Sequence, residues 1–127
     1  MMKLIMEIKV TLFPAEIVEG ECEKIVMIPF SAETEGELFS GRTHINGIDT
    51  QHIFPDGSMR LSARYVLHGK DSAGDQCSIF IENSGASPES CTPVICTDSP
   101  NLRFLESTPL SSKVETSDEN VIVRIFG

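Results

Sequence analysis

The stretch GRTHINGIDTQHIFPDGSMRLSARYVLHG, residues 41–69, decides how this chain folds. Asn46-Gly47 and Asp56-Gly57 are both hairpin dipeptides, because a two-residue type I′ loop needs positive φ at its central positions. With Asn46-Gly47 as a loop, Ile45 pairs with Ile48, His44 lies opposite Asp49, and Arg42 lies opposite Gln51. With Asp56-Gly57 as the second loop, Asp49 faces Arg64 and Gln51 faces Ser62. A three-residue loop with a bulge shifts that second register by one.

The product is a three-stranded meander with two unlike faces. One face carries the rows His44–Asp49–Arg64 and Arg42–Gln51–Ser62, extended by Ser40 and His68. The other holds Phe39, Ile45, Ile48, Phe54, Met59, Leu61, Ala63, Tyr65 and Leu67. On the plainer of two readings the apolar face is core and the polar rows are wet, with ion pairs contributing at most about 1 kcal/mol each. On the other, the polar rows line a barrel, and Arg64 and His44 satisfy a buried Asp49.

Working outward, period 2 recurs along the whole chain and no window sustains a stripe of period 3.6. Leu4, Met6, Ile8, Val10 and Leu12 alternate with mostly polar neighbours and form the first strand. Further strands are expected at about 23–30, 37–45, 48–54, 58–68, 75–83, 92–97, 102–106 or 109–115, and 119–126. VEGE, KDSAGD, NSGASPES and TDSP supply turns between them, and 84–101 reads as the longest loop. The pattern predicts an all-β fold, one domain over residues 1–127, built as an antiparallel β-barrel of about eight or nine strands.

Composition narrows the function classes. A net charge of −9 with no basic cluster excludes a nucleic-acid footprint and disfavours anionic membranes. The opening MMKLIMEIKVTLF is broken by Glu7 and Lys9 and is not a signal peptide, so a cytoplasmic protein is expected. Cys22, Cys77, Cys91 and Cys96 lack zinc spacing and read as free thiols. No cofactor or metal is expected. G-x-S-x-G, P-loop, dinucleotide and H-E-x-x-H motifs are absent, and His52 is expected to face away from His44 and His68.

GELFSGRTHINGIDTQHIFPDGSMRLSARYVLH followed by IFIENSG resembles the bacterial and fungal domain-of-unknown-function family 3237. The matching positions are Gly36, Phe39, Gly41, Gly47, Asp49, Gln51, Asp56, Gly57, Ala63, Arg64, Tyr65, Leu67, Asn83 and Gly85. Thr50 departs from an aromatic common in that family, and the segment after Gly85 is shorter. The resemblance implies a barrel similar to those of allene oxide cyclase and dirigent proteins, and it implies no reaction. It also favours a lining for the polar row. The expected function is a small-molecule-binding barrel with a polar pocket. Asp49, Gln51 and Arg64 set recognition, Asn83 and His44 assist, and Arg64 would suit an anionic ligand group. A cofactor-independent isomerase or cyclase is the enzymatic alternative, by analogy with allene oxide cyclase. A structural homo-oligomer, suggested by apolar residues on both faces of CEKIVMIPF, is the third.

Overall fold

The computed structural model of the chain describes residues 2–117 and 120–127, with Ser117 by its backbone alone. Ten strands make one antiparallel sheet. They are β1 (Leu4–Leu12), β2 (Glu16–Glu19), β3 (Lys24–Thr34), β4 (Phe39–Arg42), β5 (Gly47–Ile53), β6 (Met59–Asp71), β7 (Gln76–Gly85), β8 (Thr92–Thr97), β9 (Ser111–Ser117) and β10 (Asn120–Phe126). A turn of 3-10 helix, Arg103–Glu106, follows β8. No helix among the described residues is long and apolar enough to cross a membrane.

Two pairs of strands act as single strands. β1 and β2 lie end to end along one edge of β3, and β4 and β5 lie end to end along its other edge. The path β8-β7-β6-β4-β3-β1-β10-β9 therefore has eight positions around the wall. Its two ends, β8 and β9, come side by side and close the barrel. No backbone ladder joins them among the described residues. Instead the Ser112 hydroxyl on β9 accepts from Asn83 Nδ2 at 3.0 Å and donates to the Cys91 carbonyl at 3.2 Å.

Alternation sends one residue in two inward, and the interior divides into a packed end and an open end. Ile8, Phe39, Leu67, Ile79, Leu102, Leu105 and Ile125 fill the packed end and are essentially buried. Each such side chain contributes about 1.5–3 kcal/mol on leaving water. The helical turn presents Leu102 and Leu105, three residues apart, to this core. Asp71 ties the same end together. Its carboxylate accepts from Ser99 Oγ at 2.8 Å, Asn101 Nδ2 at 3.2 Å and the Ala73 and Asp75 amides. Those bonds, the Ser99 one foremost, hold its carboxyl below the usual range.

Both turns of the opening stretch differ from expectation. Asn46-Gly47 is no hairpin. β4 and β5 do not pair with each other but continue one another between β3 and β6. From Arg42 to Gly47 this strand advances five residues while β3 retreats three, from Glu33 to Phe30, so residues 43–46 bulge. Gly47 lacks positive φ and is small for another reason. A Cβ there would stand 2.6 Å from Phe30 Cζ and 2.7 Å from Tyr65 Cβ.

The second turn has three loop residues, Pro55, Asp56 and Gly57. The Phe54 amide donates to the Ser58 carbonyl at 2.9 Å, and Gly57 takes φ of 89°. The bulged alternative is thus the one adopted, and the register slips by one. Asp49 pairs with Ala63, Gln51 with Leu61, and Ile48 with Arg64. Asp49 and Arg64 consequently lie on opposite faces of the sheet. The His44–Asp49–Arg64 and Arg42–Gln51–Ser62 rows do not exist.

Smaller differences follow the same logic. The 102–106 segment is the 3-10 turn, so the strand expected at 109–115 is the real one, starting at Ser111. β2 was not expected, and β8 is the strand expected at 92–97, so 84–101 is not one long loop. The expected start at residue 119 lies outside the described residues. Cys77 and Cys91 are buried, while Cys22 and Cys96 are exposed, and all four are free thiols.

The packing at Gly47 makes a measurable demand. Gly47→Ala forces apart the Phe30 and Tyr65 rings or the strands that carry them, an overpacking that costs about 1–3 kcal/mol. Urea unfolding should show a lower midpoint with an unchanged slope.

Candidate functional site

At the open end the side chains stop short of filling the barrel. A cavity of about 230 Å³ remains, walled by β1, β3, β5, β6, β7, β9 and β10 and closed over by Pro88 and Cys91. Register explains the vacancy. The inward row Ile28–Asp49–Ala63–Asn83 crosses four strands, and Ala63 is too short to span the gap between its neighbours. One row deeper, Gly47 leaves space that Phe30 and Tyr65 take, their rings meeting edge to face at 5.2 Å. These two rings line the cavity between Asp49 and the packed core.

The lining is mainly apolar: Val10, Leu12, Ile28, Leu61, Val121 and Val123 join the two rings. Its polar groups are few. Gln51 Nε2 donates to Asp49 Oδ2 at 3.0 Å, and this is the only side-chain partner of Asp49 among the described residues. Burial pushes the Asp49 carboxyl above the usual range, and the Gln51 bond offsets only part of that. Asn83 is buried and committed to Ser112. Burial also raises the Cys91 thiol, with the Asp49 charge adding to the effect. Tyr65 is held far above its ordinary phenol range, again by burial.

Of the five residues singled out from the sequence, the structure brings three together. Asp49, Gln51 and Asn83 line the cavity. Arg64 and His44 do not join them. Arg64 projects from the outer face of β6, where its Nε meets Glu82 Oε2 at 2.6 Å with two thirds of the side chain exposed. His44 lies in the bulge and stacks on His68, ring centroids 4.3 Å apart, in an outer groove. His68 Nδ1 is within 2.8 Å of Ser78 Oγ. His52 does not face the opposite way from His44 and His68, as expected, but lies on the same outer surface in a separate groove and pairs with Glu23. No group of three or more His, Cys, Asp or Glu among the described residues is arranged to hold a metal ion.

The lumen is therefore not a polar row with an apolar exterior. It is an apolar chamber with an acid and two amides set into it. Leu61, Ala63 and Tyr65 line the cavity and were read as core, and Phe30 lines it from a segment read as an oligomer interface. The one signal that could have found them was Gly57, since a three-residue loop places Asp49 among the apolar side chains of β6.

Comparison with known proteins places this geometry in context. The UPF0311 protein of Clostridium acetobutylicum is 42% identical over 60 residues, a match covering 46% of this chain and 35% of that protein. The chain thus aligns with about a third of that relative's length. A crystal structure of a protein of unknown function from the same organism superposes with a TM-score of 0.81 at 23% identity, covering 98% of this chain and 96% of that one. A structure described as an enzyme from Penicillium herquei superposes with a TM-score of 0.75 at 19% identity, covering 98% and 92%. At such identities the likeness is one of fold. The family model described as protein of unknown function (DUF3237) matches residues 1–120, and the chain belongs to that family.

Proposed function

We propose that the chain is a small-molecule-binding barrel whose ligand occupies the mouth cavity, with Asp49 and Gln51 as its polar contacts. The observation that carries this reading is the carboxylate itself. A half-buried acid with one side-chain hydrogen bond, set among Ile28, Ala63 and the Phe30–Tyr65 pair, opposes folding when ionised. Nothing in the packing calls for it, and an apolar residue would fill the same row better. Strain of this kind concentrates where a site is needed. A cavity of about 230 Å³ is smaller than the ~300–1,000 Å³ of drug-sized pockets, which suits a small ligand.

A second reading draws on the same acid. A carboxyl raised by burial in a water-poor chamber is suited to carry a proton to or from a bound substrate. That chemistry fits a cofactor-independent isomerase or cyclase, and the enzyme from Penicillium herquei shares the fold. Association of copies is compatible with either reading. Val18 and Met27 are exposed on the outer face of β2 and β3, away from the cavity lining.

The sign of the Asp49 effect can be worked out. Its folded-state carboxyl titrates above its unfolded value, so the native state binds more protons through that range and stability falls as pH rises through it. Asp49→Asn should therefore raise the thermal midpoint at neutral pH and flatten its dependence on the acid side. A lowered midpoint would make the carboxylate structural.

The binding reading is tested by thermal shift of the full chain against a metabolite library, where a ligand of the native state raises the midpoint. Ala63→Leu, which fills the gap between Asp49 and Asn83, should abolish any shift found. Arg64→Ala should leave it intact, and the reverse pattern would move the site to the outer face.

A further inference from the structure

We propose that the cavity selects a small apolar amine, its ammonium group held between the Asp49 carboxylate and the faces of Phe30 and Tyr65. This rests on the cavity being the binding site, and it adds the charge and chemical class of the occupant.

The argument begins with charge. Among the lining residues Asp49 is the only Asp or Glu, and no Lys, Arg or His is present. The nearest arginine candidate, Arg64, is on the other face and engaged by Glu82. The titratable groups facing Asp49 across the chamber are Cys91, from the segment before β8, and Tyr65 on β6, both kept neutral by burial. The strands β1, β3, β9 and β10 contribute only apolar side chains and Thr116. Among the described lining residues an ionised Asp49 is thus a single negative charge without a counter-ion. One of its oxygens, Oδ2, takes the Gln51 amide, and Oδ1 has no side-chain partner among the described residues.

Three ligand classes can be weighed against that environment. An anionic ligand meets like charge with nothing to offset it, so the arginine-based expectation of an anionic group is reversed. A neutral alcohol donates one ordinary hydrogen bond and leaves the buried charge uncompensated. A protonated amine supplies the missing opposite charge and a charge-assisted hydrogen bond, roughly twice as strong as a neutral one. It also favours the ionised form of Asp49 that burial disfavours.

Two further features point the same way. Phe30 and Tyr65 present aromatic surface to the chamber, and ring faces attract a desolvated cation. The chain as a whole carries −9, a field that raises the local concentration of cations and repels anions. The remaining wall of Val10, Ile28, Leu61, Val121 and Val123 asks for a compact hydrocarbon body behind the ammonium group.

The test uses three probes of one shape: phenethylamine, phenethyl alcohol and phenylacetate, titrated into the full chain by calorimetry at neutral pH. The amine should bind about tenfold or more tightly than the alcohol, the margin expected of a hydrogen bond to a charged group, and phenylacetate should not bind. Asp49→Asn should remove the amine's advantage over the alcohol, and Ala63→Leu should abolish binding of both. Amine affinity should rise with pH as Asp49 ionises and fall again only when the amine loses its own proton. An alcohol that binds as well as the amine, or an amine whose affinity survives Asp49→Asn, overturns the proposal while leaving the cavity as a site. If none of the three binds and the metabolite library also gives no shift, the cavity reading falls and this inference with it.

Discussion

The three-residue turn at Pro55–Gly57 sets the parity on which the interior depends. Gly57 takes a backbone conformation that most side chains resist, and the bulge that results moves β5 by one residue against β6. In a strand one residue is the difference between inside and outside. With this turn Asp49 and Gln51 look inward and Ile48 and Arg64 look outward. With a two-residue turn an acid and a base would have shared one face and neutralised each other.

Small residues then decide where the chamber lies. Gly47 lets two rings from β3 and β6 meet, and Ala63 leaves the row above them unfilled. The packed end shows what the fold does without such omissions, for there large aliphatic side chains and two helical leucines fill the interior. The barrel is thus stabilised at one end and relieved of packing at the other. An acid can be tolerated in the second region because the first supplies enough apolar burial to keep the structure folded.

Much of this architecture was legible in the chain. Alternation located β1, β3, β6, β7, β8 and β10 to within a few residues, since each has one face in a continuous core. β2 was hidden because four exposed residues after Pro14 carry no inward pattern. Leu102 and Leu105 were ambiguous for a related reason, a spacing of three being too short to tell strand from helical turn. The Asn46-Gly47 misreading is more instructive. A glycine that makes room for rings on other strands looks the same in sequence as one that makes a turn, and the ring of Phe30 is 17 residues away. The candidate site inherited that ambiguity. Asp49 and Gln51, singled out by type, and Asn83, by resemblance, reach the same cavity, whereas Arg64 was placed with them by a second-turn register that is not adopted and His44 by a hairpin that does not form.

The joint between β8 and β9 differs from the rest of the wall. Elsewhere the wall is stitched by main-chain ladders, but here Asn83, Ser112 and the Cys91 carbonyl hold the two margins together. Local opening follows the weakest stitching, which makes this line the expected place for the wall to part first. Asn83 and Cys91 also border the chamber, so the line of weakness runs alongside the space a guest would fill. Under the binding reading, this seam would offer a way in beside the open end, and a ligand touching Asn83 would bear on the bonds that hold it shut.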